Sequence, residues 1–266
     1  QLRSVVPSSR YIGGLVDQRS GHLHPLNYTL GLARAAQELG VRIFEHSAVT
    51  QLDRGAKPVL RTAQGQVQAD FVVLAGNAYV RGIAPELDSR IMPVGTYIGA
   101  TEPLGETKAR ELIRNDMAVA DINWALDYFR LSSDHRLLFG GRASYSTLPP
   151  PNLRGTMQRR MTRVFPQLAG VKLDYVWGGY VDISLSRAPH WGRLGKNLYF
   201  AQGYSGHGVA ATGLAGRIMA EAIRGQSQRL DAFAKIPHHN FPGGRALRTP
   251  MLVAAMAWFK LRDALF

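Results

Sequence analysis

The chain has 266 residues, 45% of them hydrophobic, enough to bury a substantial core in one large or two interleaved domains. It has no cysteine, which excludes disulfides, thiolate metal sites and a cysteine nucleophile and fits a reducing cytoplasm. The formal net charge of +13 raises the question of nucleic acid, but the basic residues are scattered, Arg159-Arg160 is their only adjacent pair, and no basic run interleaves with aromatics, so no nucleic-acid binding is expected.

Helical spacing begins at Pro25, suited to a first turn, and runs to Glu38, with Gly40 as the stop. Strands are expected in VRIFE (41–45), VLRT (59–62), VQADF (67–71) and the continuous apolar FVVLAG (71–76), with turns at Gly55 and Gly65. A different region opens near Arg90. There the aromatic-rich WALDYFR (124–130), a turn at 132–134 and RLLFGG (136–141) alternate as an antiparallel sheet does. A helix over 153–165, with Leu153, Met157, Met161 and Val164 on one face, precedes a strand KLDYVWGGYV at 172–181. The best apolar run, 251–259, is far shorter than the about 20 residues a bilayer needs. It suits a short amphipathic helix packed on the body, and no integral membrane insertion is expected.

The most informative stretch is 197–223, NLYFAQGYSGHGVAATGLAGRIMAEAI, which reads as strand, glycine turn and helix. Gly203, Gly206 and Gly208 allow positive φ and close backbone approach, and Val209, Leu214, Ile218 and Ala222 form an apolar stripe. The first amide N–H groups of such a helix have no acceptor inside it and suit an anionic ligand. Three readings stay open. The glycines serve tight helix–sheet packing, or Gly206, Gly208 and Ala211 form a G-x-G-x-x-A dinucleotide fingerprint, or the turn serves another cofactor. The fingerprint wants a second strand ending in an acid about 20 residues on, and Asp231, the acid near that distance, has no strand before it.

Several separated segments together narrow the choice: GHLHPLNYTLGLARAAQELG (21–40), VRIFEHSAVTQL, the turn at 63–66, ADFVVLAGNA (69–78), Trp177-Gly178-Gly179 and GYSGHG (203–208). In that order and spacing, the chain from Tyr11 onward resembles the C-terminal portion of the FAD-dependent amine and amino-acid oxidases of the glycine oxidase and D-amino-acid oxidase superfamily. WGGYVDISLSRAPHWGRL (177–194), PHHNFPGG (237–244) and RTPMLVAAMAWFKLRDAL (248–265) are similar to members that oxidise gamma-glutamylated putrescine. The resemblance implies a mixed α/β (α+β) fold. An incomplete Rossmann-like flavin-binding domain, 1–90 with 182–266, would join an antiparallel-sheet substrate domain, 91–181. It also implies that a front segment gripping the ADP half of FAD is missing, so the isolated chain is expected to bind FAD weakly and to be inactive without that N-terminal half as partner.

By the same resemblance the cofactor is FAD, held noncovalently because no cysteine is available to link it. Val49 and Ala75-Gly76 would approach its adenine and ribityl parts, and Gly203, Tyr204, Ser205, Gly206, His207, Gly208 and Val209 would lie under the flavin ring. The helix after Gly208 would stabilise the anion formed when hydride reaches flavin N5. Val49 could equally be an ordinary strand residue, and Ala75-Gly76 a strand end. Amino-acid-oxidising relatives place carboxylate-binding arginines where this chain has Val181 and Gly206. The expected substrate is therefore a small-molecule amine whose carboxylate is distant from the reacting carbon, with an amino-acid oxidase or a basic non-catalytic subunit as alternatives. Candidate catalytic residues are Asp182 to attract the cationic amine, Tyr128 to line the pocket, and His207 to bond flavin or substrate. Each has a plainer role available: a turn cap, a core aromatic and an exposed-turn histidine. His22 and His24 are expected to be structural. No metal is expected. No lysine occurs between Lys108 and Lys172, where sarcosine-oxidising relatives carry one to promote reaction with oxygen.

Overall fold

The computed structural model describes residues 2–80, 82–123, 126–144, 151–243, 247–251, 253, 254 and 258. In chain order its early elements are α1 (Leu2–Val5), α2 (Pro25–Glu38), β1 (Val49–Asp53), β2 (Val59–Thr62), β3 (Gln66–Gln68), β4 (Val72–Leu74) and α3 (Pro85–Asp88). There follow β5 (Met92–Thr101), α4 (Glu106–Leu112), β6 (Val119–Ala120), β7 (Tyr128–Leu131), β8 (Leu137–Ser144) and α5 (Leu153–Val164). The last are β9 (Leu173–Ile183), β10 (His190–Arg193), β11 (Leu198–Gln202), α6 (Gly208–Ile223) and α7 (Gln228–Ala234). This is the mixed α/β class expected.

The chain divides into two compact units, Gln1–Leu32 with Gly95–Gly179, and Ala33–Val94 with Tyr180–Phe266. The grouping differs from the sequence-based division in assigning the first 32 residues to the sheet unit. The reason is packing: Val6 is buried in that unit's core, Val5 and Tyr11 pack against it, and Ser8 Oγ donates to the Val164 carbonyl at 2.6 Å.

The first unit is a five-stranded sheet in the order β6-β7-β8-β5-β9. Its strands alternate as a half-buried sheet requires. On β7, Phe129 and Leu131 enter the core while Tyr128 and Arg130 turn to the other face. Helix α5 covers the core face with Met157, Met161 and Val164, followed by Phe165. Asn152 caps this helix in the left-handed conformation, its side-chain oxygen accepting from Gly155 N at 3.1 Å.

The second unit carries an antiparallel sheet, β1-β2-β3, and a mixed sheet, β10-β11-β4. Strand β11 is central in the latter, antiparallel to β10 and parallel to β4. All five of its residues are buried, which explains its unbroken apolar run. Tyr199 and Ala201 face a core completed by Trp191, Ile218 and Met219, and Leu198 and Phe200 face a second with Val72, Leu74 and Leu87.

Several expectations change on contact with the structure. Residues 41–45 form no ladder, and β3 ends at Gln68, short of the expected VQADF strand. The buried stripe of α6 is Ala215, Ile218, Met219 and Ala222, whereas Val209 and Leu214 are exposed. Ile218 and Ala222 of the expected stripe are buried, and Ala215 and Met219 join them. Trp124 and Ala125 of the expected hairpin, and most of the expected 251–259 helix, lie outside the described residues. Among the described residues no helix is long and apolar enough to cross a membrane, and none of their His, Asp and Glu side chains group as a metal site.

Candidate functional site

Strands β4 and β11 run parallel, with Val72, Val73 and Leu74 opposite Leu198, Tyr199 and Phe200, so their carboxyl ends leave the sheet at one edge. In open α/β sheets that edge is where ligands bind. Here it carries Ala75-Gly76-Asn77 after β4 and the turn 203–207 after β11. A cavity of about 720 Å³ lies at this edge, lined among others by Ala75, Asn77, Asp182, Tyr204, Gly206 and Gly208. Its wall continues along α6 through Thr212, Gly216 and Ala220.

The turn is built to expose backbone. Gly203 has φ +76, and a Cβ there would stand 3.1 Å from both the backbone N and the Cβ of His190. Gly206 has φ +96, while Ser205 takes φ +53 at a strain cost of about 1–2 kcal/mol. The turn is held from below by Asp182, which is 1% exposed. Its carboxylate accepts from Gly203 N at 2.5 Å and Tyr204 N at 3.1 Å, and its own carbonyl accepts from Ser205 N at 2.9 Å. Burial raises the Asp182 pKa, with those two amides opposing the rise. Tyr204 is pushed up to about 12 by burial and by the neighbouring Asp182. Helix α6 then starts with no side chain capping it: the N-cap His207 makes no side-chain hydrogen bond to it. The first amides of this 16-residue helix thus lie beside the cavity with no side-chain cap among the described residues.

Ala75, Tyr204, Gly206, Gly208, Val209 and Asp182 line the cavity together. Gly203 and Ser205 shape the turn beneath, and Gly76 packs tightly on Val80, whose Cγ2 would be 2.6 Å from an added Cβ. His207 is exposed at the helix start, outside the cavity lining. Val49 opens β1 in the other sheet, also outside that lining. Asp182 serves the turn amides with both carboxylate oxygens. Tyr128 belongs to the sheet unit, where burial raises its pKa against a hydrogen bond with Thr96. His22 Nε2 bonds the Asp116 carbonyl at 2.8 Å, and His24 Nδ1 accepts from Asn27 N at 3.2 Å at the start of α2.

Asn77 escaped sequence reasoning. It takes φ +51 just past β4, bonds Asp182, and has a buried Oδ1 that accepts no hydrogen bond from the described residues. The available signal was Gly-Asn directly after an apolar strand, since asparagine is the residue besides glycine that most readily takes the left-handed region.

A parallel-strand edge, a glycine turn and a helix start open on one cavity, an arrangement that α/β proteins use for anionic ligands. The chain belongs to the FAD dependent oxidoreductase (DAO) family, whose profile matches residues 1–222. It is 48% identical over 265 residues to gamma-glutamylputrescine oxidoreductase of Escherichia coli (strain K12), covering 99% of this chain and 62% of that one. It is 44% identical over 268 residues to the probable oxidoreductase OrdL of Haemophilus influenzae, covering 99% and 61%. The chain thus spans about three fifths of the length of these relatives. Among solved structures, glycine oxidase from Geobacillus kaustophilus shares the fold with a TM-score of 0.66 at 19% identity, over 79% of this chain and 57% of that one. L-proline dehydrogenase from P. horikoshii aligns with a TM-score of 0.64 at 21% identity, over 77% and 57%.

The residues present fit the flavin of this family. Gly206 and Gly208 bring main chain to the cavity without side chains, the apolar wall of Ala75, Val209 and Ala215 suits a flat ring, and the α6 amides suit its negative edge.

Proposed function

We propose that the protein oxidises a primary amine with FAD as cofactor, and that the amine is gamma-glutamylputrescine or a close gamma-glutamylated polyamine. FAD, when bound, supplies the two-electron acceptor, and the amine leaves as an imine that water converts to an aldehyde and ammonia. The observation that carries the cofactor reading is the uncapped start of α6 on the cavity at the β4–β11 edge. The substrate reading rests on the similarity to gamma-glutamylputrescine oxidoreductase and on two sequence departures, Val181 and Gly206, at positions where amino-acid-oxidising relatives are expected to carry arginine.

In this reading the α6 amides present fixed positive dipoles to charge that develops during the reaction, an effect of about 0.3–1 kcal/mol when exposed and up to roughly 2 when partly buried. Asp182 keeps those dipoles aimed, because its bonds to Gly203 and Tyr204 set the turn that launches the helix. Tyr204, neutral at any physiological pH, lines the cavity without adding charge.

The test is anaerobic mixing of candidate amines with the chain joined to an N-terminal nucleotide-binding segment and loaded with flavin. The flavin absorbance is expected to bleach with gamma-glutamylputrescine and to persist with glycine or D-alanine. Bleaching by the amino acids alone would overturn the substrate assignment, and an absence of bound flavin when the chain is joined to an N-terminal nucleotide-binding segment would overturn the cofactor assignment.

A further inference from the structure

The sheet unit holds a second cavity, of about 1220 Å³. It exceeds the roughly 300–1,000 Å³ of common small-molecule sites, so it has room for a long ligand. Its floor is the sheet face opposite the aromatic core. Strand pairing sets Tyr128, Gly140 and Ile98 in one row across that face and Arg130, Leu138 and Ala100 in the next, about 7 Å along the strands. The Tyr128 ring lies over Gly140, where a Cβ would meet it at 1.9 Å, so the ring fills space that any other residue would deny it. Tyr175 and Trp177 of β9 add two exposed aromatic side chains to the lining.

Three arginines border this cavity, and their charges are differently placed. Arg136 is neutralised: Nε donates to Asp134 at 2.7 Å and Nη1 to Asp174 at 2.5 Å. Arg154 is exposed and donates to the Leu173 carbonyl. Arg130 is half-buried, its guanidinium makes one hydrogen bond among the described residues, to the Leu131 carbonyl at 3.1 Å, and none of their carboxylates lies within ion-pair range. Burial draws its pKa below the usual arginine value, with the charge of Asp116 opposing. A guanidinium that has shed part of its water without gaining an anionic partner, beside an aromatic-lined cavity, is prepared for a carboxylate, which it holds through two parallel N–H donors.

We propose that this cavity binds a carboxylate-bearing ligand with a long arm, Arg130 holding the α-carboxylate of a gamma-linked glutamyl group and Tyr128, Tyr175 and Trp177 flanking the arm. This rests on the amine-oxidation reading above for the identity of the ligand.

The experiment measures binding rather than turnover. N-butyl-gamma-L-glutamine carries the glutamyl carboxylate and the arm but no oxidisable terminal amine. Its affinity for the protein is compared by calorimetry with that of the same molecule lacking the carboxylate. The carboxylate is expected to improve affinity by roughly 10- to 100-fold, as a charge-assisted fork does. Arg130→Gln is expected to erase that ratio while leaving the decarboxylated ligand unaffected, and Arg130→Lys to restore part of it, a pattern that misfolding cannot produce. Equal affinities for the two ligands in the unaltered protein, or an unchanged ratio in Arg130→Gln, would overturn the assignment. A preserved ratio with no flavin bleaching by gamma-glutamylputrescine would instead leave Arg130 standing as a carboxylate site and remove the oxidation reading.

Discussion

His190 shows how far burial sets the chemistry of a single side chain in this protein. It is 4% exposed on β10, stands edge-on to Phe200 with centroids 4.7 Å apart, and takes Gln202 Nε2 against Nδ1 at 3.1 Å. His238 lies 4.3 Å away by centroid, and Arg90 Nη1 is 3.4 Å from Nε2. Burial first, then these two neighbours, lowers its pKa from 6.5 to about 3. The folded state therefore refuses a proton that the unfolded chain accepts below pH 6.5. The associated stability is complete above 6.5 and is lost as the pH falls toward about 3, with a slope of up to about 1.4 kcal/mol per pH unit. Unfolding free energies measured across this range should fall more steeply for the natural protein than for His190→Phe, which cannot take up a proton. Parallel pH profiles for the two would refute this account.

At the scale of the element, β7 separates stability from ligand binding by its two faces. Phe129 points to the core, stacked on Phe139 at 5.8 Å and edge-on to Phe165 at 5.1 Å. Phe129→Ala should cost about 3–5 kcal/mol, combining lost transfer energy with the cavity left behind. Tyr128, one residue earlier, faces the opposite cavity and gives up only its hydroxyl contact with Thr96 in Tyr128→Phe, a loss of roughly 0.5–1.5 kcal/mol. Denaturant midpoints of the two variants should differ accordingly, and similar midpoints would show that the strand is not two-sided. Helix α6 is two-sided in another way. Its buried line runs through Ala215, Ile218, Met219 and Ala222, while Val209 and Leu214 stay exposed. Apolar spacing finds Ile218 and Ala222 but cannot tell that Val209 lines a cavity and not the core.

At the scale of the whole molecule, order is unequally distributed. The sheet unit has one continuous core from Phe129 and Phe139 to Met161 and Leu168. The second unit divides its apolar burial between the two faces of β11, and its other sheet is thinly covered: β3 is exposed throughout and β1 over its first three residues. Backbone hydrogen bonds with few buried apolar contacts open at low free energy. Amides of β1, β2 and β3 are therefore expected to exchange with solvent faster than those of β5 and β8 under native conditions. Uniform protection across these strands in hydrogen-exchange measurements would contradict that ranking. Elsewhere in this unit Asp88 and Arg248 form a buried ion pair at 3.0 Å, and Arg248 also donates to the Ile91 carbonyl at 2.9 Å.

What the sequence by itself determined was local and periodic. Helix α2 from Pro25, the α5 face of Met157, Met161 and Val164, the buried strand β11 and the glycine turn ahead of α6 were all legible, because each is dictated by a repeat of side chains or by backbone freedom within a few residues. Only the tertiary structure decided what those elements meet. Asp182 and the amides of Gly203 and Tyr204 are 21 and 22 residues apart, and only the folded chain joins them. Tyr128 could not be located over Gly140 until strand register was known, and Arg130 could not be told from Arg136 until the carboxylates of Asp134 and Asp174 were found beside the latter alone. Pairing across long separations depends on which surfaces dock and what charge is left over, and neither quantity is carried by spacing along the chain.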